Sequence, residues 1–102
     1  MPQFTEKLTT ETEPFSFDFN PVLATGETLT TATATAYTQQ GIDLNPSAIL
    51  SGTPVISDGQ ATQIITGGLD ECTYRVVMTC NTSLGNVYTC LGDIPVYAPT
   101  SI

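Results

Sequence analysis

The sequence predicts an all-β sandwich, and three observations predict it. From Cys72 the alternate positions Cys72, Tyr74, Val76, Met78 and Cys80 are apolar or aromatic, with Thr73, Arg75, Thr79 and Asn81 among those between. That period of two is what a half-buried strand produces. Turn signals recur roughly eight to twelve residues apart, which suits a sandwich or barrel of about seven short strands. No stretch repeats its apolar residues at the helical period.

The stretch from Leu69 to Val96 organises the rest. It reads as two antiparallel strands joined at Ser83, Leu84 and Gly85, with glycine at the third loop position, where a three-residue hairpin needs a left-handed conformation. This places Thr82 opposite Asn86, Cys80 opposite Tyr88 and Met78 opposite Cys90.

The other elements follow from the N-terminus. Residues 1–13 are polar and Thr-rich and are predicted as a flexible arm, followed by a sandwich over 14–98 and a short tail over 99–102. Phe15, Phe17 and Phe19 alternate with Ser16 and Asp18 as a first strand with three rings on one face, ended by Asn20-Pro21. Thr28 to Tyr37 is a second strand, with Ala32, Ala34 and Ala36 on one face and Thr31, Thr33 and Thr35 on the other. Leu29 is out of phase with the alanines, so a bulge is expected near Thr30 or Thr31. Ile42 to Leu44 is expected as a short strand between the Gln39–Gly41 turn and Asn45-Pro46, and Ala48 to Leu50 as a brief apolar run. Thr53 to Ile56 and Ala61 to Thr66 flank Asp58-Gly59, a strong hairpin dipeptide.

Composition excludes several functions. The chain has 102 residues, one domain's worth, and a net charge of −8 with only Lys7 and Arg75 positive. Nucleic acid and anionic membranes both need a cationic face, so neither is an expected partner. No apolar stretch reaches the length of a membrane span. The first residues, MPQFTEKLTTETEP, hold no basic region followed by an apolar run, so no signal peptide is expected.

The chemistry available is sparse. There is no histidine, which removes Ser-His-Asp and Cys-His catalysis and most zinc sites. Cys72 and Cys80 lie on one strand, roughly 26 Å apart at the usual rise, and cannot pair with each other. Cys80 and Cys90 are diagonal neighbours, marginal for a disulfide. The three cysteines read as buried free thiols, in keeping with a reducing cytoplasm. A nucleophilic thiolate needs a nearby cation, and strand parity turns Arg75 away from Cys72. Asp70 and Glu71 are adjacent and diverge on an extended strand, so they do not form a facing pair of carboxylates. Asp43, Asp58, Asp70 and Asp93 come without a DxDxDG-type loop, and no metal or other cofactor is predicted. Tyr88 and Tyr97 read either as contact anchors or, for Tyr88, as packing across from Cys80. Phe4 and Leu8 are apolar residues in the polar arm and are candidates for docking it onto a neighbour.

Tyr74, four residues after Asp70 and near the start of the penultimate strand, resembles the tyrosine corner of immunoglobulin-like domains, whose hydroxyl bonds back to upstream backbone. The predicted fold is therefore an immunoglobulin-like antiparallel sandwich with a flexible N-terminal arm. The tryptophan and the inter-sheet disulfide of antibody domains are absent. The structural positions singled out are Tyr74 and Asp70 at the corner, and Gly85, Asp58 and Gly59 in the hairpin turns.

The alternating segment from Thr25 to Ala36, followed by GIDL, SGTPV, TGGLDECTYRV and MTCNTSLGN, resembles a family of small bacteriophage virion proteins. Its members read as an SGET-type lead-in, an alternating strand, a GL or GI turn, and a run ending in YxV and TSxG. They look like the fiber–tail adaptors of small contractile-tailed phages. The resemblance spans Phe15 to Asp93 and departs at Ala24-Thr25-Gly26-Glu27 and at Leu69-Asp70-Glu71. It implies a non-enzymatic virion subunit, made in the host cytoplasm and present in multiple copies, that joins a tail fiber to the tail or baseplate. The implied partners are tail fiber, baseplate or neck subunits. Two other readings stay open at this point: a capsid decoration or other head-associated subunit, and a carbohydrate- or surface-binding module. The missing tryptophan counts against the last.

Overall fold

A computed structural model describes residues 6–100. Its strands are β1 (Lys7–Leu8), β2 (Thr12–Asp18), β3 (Leu29–Gln40), β4 (Leu50–Ser57), β5 (Gln60–Thr66), β6 (Cys72–Thr82) and β7 (Val87–Tyr97). They form two sheets, β1-β7-β6-β3 and β2-β5-β4, which pack face to face as a β-sandwich. All neighbours are antiparallel except β1, which runs parallel to β7.

The alternation in β6 sets the core. Cys72, Tyr74, Val76, Met78 and Cys80 point inward and are buried. Across from them Phe15 and Phe17 on β2, with Phe19 just beyond it, complete the interior with Ala61 and Ile65 of β5. Each such ring contributes roughly 1.5–3 kcal/mol by leaving water. On β3 the alanines face in and Thr31, Thr33 and Thr35 face out, and the register shifts between Leu29 and Thr31, where the sequence predicts a bulge. Small alanines there let β3 lie close over the opposite sheet.

The hairpin registers are those the turns predict. Cys80 faces Tyr88 and Met78 faces Cys90. The Thr82 N–H donates to the Asn86 carbonyl at 2.9 Å, and Gly85 sits at φ +82°. Asp58 and Gly59 (φ +51° and +78°) form the two-residue loop between β4 and β5, with both central residues left-handed as in a type I′ turn.

Three elements differ from expectation. Ile42 to Leu44 is not a strand, because Gly41 (φ +82°) turns the chain away from the sheet and local bonds then hold the loop. The run Ala48 to Leu50 is divided between a 3-10 turn, Pro46–Ile49, and the start of β4. The predicted arm is shorter where it is described: Lys7–Leu8 pairs with Val96 and Tyr97, and Thr12 already pairs with Thr66. Backbone pairing to distant strands fixes these residues without any apolar period to announce it.

The sandwich measures 47 × 24 × 21 Å. One end, called here the Tyr74 end, carries the loops 41–45 and 67–71 and the exit of β7. The opposite end carries residues 19–28 and the two tight hairpins.

Candidate binding surface

The Tyr74 end is assembled from parts far apart in sequence. Tyr74 is buried, and its hydroxyl accepts from the Leu69 N–H at 2.8 Å and donates to Asp43 Oδ2 at 2.7 Å. Burial pushes the phenol pKa far up, and the Asp43 carboxylate adds to it, so the hydroxyl keeps its proton and serves as a fixed donor. Asp43 is held twice more: Oδ1 accepts from Asn45 N–H at 2.9 Å, and its carbonyl accepts from Thr38 Oγ1 at 3.1 Å. Beside it the Cys72 thiol lies 3.8 Å from the Ile42 carbonyl. A Cβ on Gly41 would fall 2.6 Å from the Cys72 sulfur, so only glycine fits this approach. Loop 41–45 is thus tied to β3, β6 and loop 67–71 together.

Loop 67–71 is tied down as well. Lys7 is fully buried, and its ammonium donates to the carbonyls of Gly67 at 2.6 Å and Leu8 at 2.8 Å. Burial lowers its pKa, with Glu11 and then Glu13 opposing the shift. Asp70 Oδ1 accepts from the Ala98 N–H at 2.8 Å, joining the loop to the chain leaving β7. The two residues predicted for the corner therefore bond to different things: Tyr74 to Leu69 and Asp43, Asp70 to Ala98.

The other predicted positions lie elsewhere. Gly85, Asp58 and Gly59 sit in turns at the opposite end. There Asn20 Nδ2 donates to the Asp58 carbonyl at 2.9 Å. The same end is knitted by Glu27, buried and accepting from Thr82 Oγ1 at 2.5 Å, Ala24 N–H at 2.9 Å and Asn86 Nδ2 at 2.9 Å. Those donors, Thr82 first, hold its carboxyl below the usual range. Leu8 is half-buried in β1, and Phe4 lies outside the described residues. Tyr88 packs against the core opposite Cys80.

Apolar side chains are exposed at several places, among them Val55, Leu84 and Val87 as well as the Tyr74 end. Loop 41–45 and Leu69 present Ile42, Leu44 and Leu69 to solvent. On β7, β1 covers only Val96 and Tyr97, so among the described residues the edge from Val87 to Pro95 carries no further strand. The sequence reading missed Asp43, Lys7 and Glu27. The available signals were an Asp two residues before Asn45-Pro46 and the isolation of the single lysine.

Among the described residues no three His, Cys, Asp or Glu side chains come together as a metal site. The three cysteines are free. Burial raises the Cys80 pKa, with Cys90 adding to it, and burial raises that of Cys90, with Asp18 adding to it, so both stay thiols. Arg75 is bound to Asp93 through Nε at 2.8 Å and Nη2 at 3.1 Å.

A family model for the podophage GP4 fiber-tail adaptor protein gp77 matches residues 7–90. The chain belongs to this family of phage fiber-tail adaptors. The match runs from β1 into the start of β7, so it takes in strands of both sheets and the loops 41–45 and 67–71. It corrects one implied detail, since the family is one of podophages rather than contractile-tailed phages. No curated protein and no solved structure matches the chain.

Proposed function

We propose that this fiber-tail adaptor domain is a non-enzymatic structural subunit of the virion, joining a tail fiber to the tail or its baseplate and present in multiple copies. The family match over residues 7–90 is the observation that carries this reading. Burial keeps Cys80 and Cys90 as thiols, which suits a subunit that acts by binding. Its partners are other tail proteins rather than nucleic acid or lipid: both cations of the chain are used internally, Lys7 on carbonyls and Arg75 on Asp93. Three free cysteines suit synthesis in the host cytoplasm. An immunoglobulin-like assignment of the sandwich is supported by the four-on-three strand order and by the Tyr74 hydroxyl bonded back to Leu69.

The test is deletion of the coding segment from the phage genome, followed by electron microscopy of purified particles. Particles should form with filled heads and without fibers, and adsorption should return when the full chain is supplied in trans. Fibers retained at wild-type number would overturn the proposal. Copy number per particle separates a tail role from a head role, because tail subunits follow tail symmetry and decorations follow the capsid lattice.

A further inference from the structure

Leu44 and Ile42 are the most exposed large apolar residues described, at 97% and 81%, and Leu69 beside them is half exposed. A single exposed apolar side chain is ordinary. Here, however, the backbone that carries them is held fast. Asp43, between Ile42 and Leu44, is bonded to Tyr74, Asn45 and Thr38, and Leu69 is bonded to the same Tyr74 hydroxyl. Apolar side chains on a fixed frame lose little freedom on binding, and that is how interface anchors gain affinity. The two loops that carry them meet at one buried hydroxyl, which bonds Leu69 N–H and the Asp43 carboxylate.

The surroundings specify what covers them. Asp70 and Glu71 follow Leu69 directly, and Asp43 lies between the other two anchors. Both cations near this end are already engaged: Lys7 is buried beneath it on the carbonyls of Gly67 and Leu8, and Arg75, the residue after Tyr74, is bound to Asp93. A second copy of the chain cannot supply the complement, because it too has only Lys7, buried, and Arg75, paired with Asp93, and it too carries a net −8. Charge complementarity then requires a different protein whose contact site is apolar in the centre and basic at the rim.

We propose that the Tyr74 end is a docking plug, with Ile42, Leu44 and Leu69 as anchors, that seats in an apolar socket rimmed by Lys or Arg on another tail protein. This rests on the adaptor reading and deepens it by assigning one partner-binding surface.

The test places a benzophenone photo-crosslinker in the full chain, within particles of the phage that encodes it. The positions are Leu44, Leu69 and, as a control on the outer sheet face, Thr33. Leu44 and Leu69 should join a different virion protein, at a peptide containing Lys or Arg. The double variant I42S/L44S should then bind that purified protein about a hundredfold more weakly, about tenfold per anchor, while its melting temperature stays unchanged because both side chains already face water. Binding by the unaltered chain should weaken as salt rises. No product from Leu44 and Leu69, products from Thr33 alone, or products joining two copies of the chain would each overturn the plug while leaving the adaptor reading intact. Particles that lack the chain altogether would overturn the adaptor reading itself.

Discussion

Replacing Tyr74 with phenylalanine removes one oxygen from the position where both loops of the docking end meet. The ring stays: it is fully buried and a Cβ on Gly68 would come within 3.2 Å of Tyr74 Cε2, so phenylalanine keeps the packing and opens no cavity. What is lost is the acceptor for the Leu69 N–H and the donor to the Asp43 carboxylate. Leaving such part-buried groups without their partner costs about 1–3 kcal/mol, and the charged acceptor puts the expectation near 2 kcal/mol. For a chain of this size that corresponds to a drop in melting temperature of roughly 8–16 °C. In urea the midpoint should fall by roughly 1–2 M with an unchanged slope, since the surface exposed on unfolding is the same. Hydrogen exchange at the Leu69 amide should quicken in the same variant, because that N–H loses its acceptor. A change below about 0.5 kcal/mol, together with unaltered exchange at Leu69, would refute the claim that this hydroxyl fixes the two loops.

Three other outcomes are expected. Met78→Ala, at a fully buried position on β6, should destabilise by about 2–5 kcal/mol, read by urea unfolding; a loss under 1 kcal/mol would mean the two sheets close over the gap. Gly59→Ala sets a Cβ 2.1 Å from Asn20 Oδ1 at φ +78°, so it should cost more than about 1 kcal/mol, and a neutral result would show that Asn20 moves aside freely. Hydrogen bonds from Thr82, Ala24 and Asn86 hold the folded Glu27 carboxyl below its ordinary value, so the unfolded chain binds the proton first and stability must fall as pH drops through the folded pKa. Stability measured from pH 6 down to about pH 2 should therefore fall less steeply in Glu27→Gln than in the unaltered chain, and equal slopes would remove Glu27 as the cause.

The sheets were legible because their signals are local. A period of two in Cys72–Cys80 announces which side chains enter the core, and Asp58-Gly59 and Gly85 announce the turns that set the register of their neighbours. Even the β3 irregularity was readable, because Leu29 falls out of phase with Ala32, Ala34 and Ala36 within a few residues. Local signals also misled. Ile42 and Leu44 alternate around Asp43 as a short strand would, yet a strand needs a partner edge, and Gly41 has already carried the chain off the sheet. Lys7 and Leu8 show no pattern at all, and their strand exists because the β7 edge at Val96 and Tyr97 lies open to them.

The binding end was harder to read for a related reason. Its centre is a bond between residues 31 positions apart, Tyr74 and Asp43, and its support is a lysine 60 positions from the carbonyl it caps, Gly67. Sequence spacing marked Tyr74 as a residue that bonds back to nearby backbone, and Leu69 is that backbone. Nothing in the spacing names Asp43 as the second partner. The exposed Ile42 and Leu44 gain meaning only from that second bond. Without it they would be two apolar residues on a loose loop, free to fold back on the sandwich; with it, turning them inward would break the carboxylate's bond to a buried hydroxyl. The bond between Tyr74 and Asp43 thus keeps both anchors in water until a partner covers them, which is why Tyr74→Phe should weaken partner binding without touching the partner.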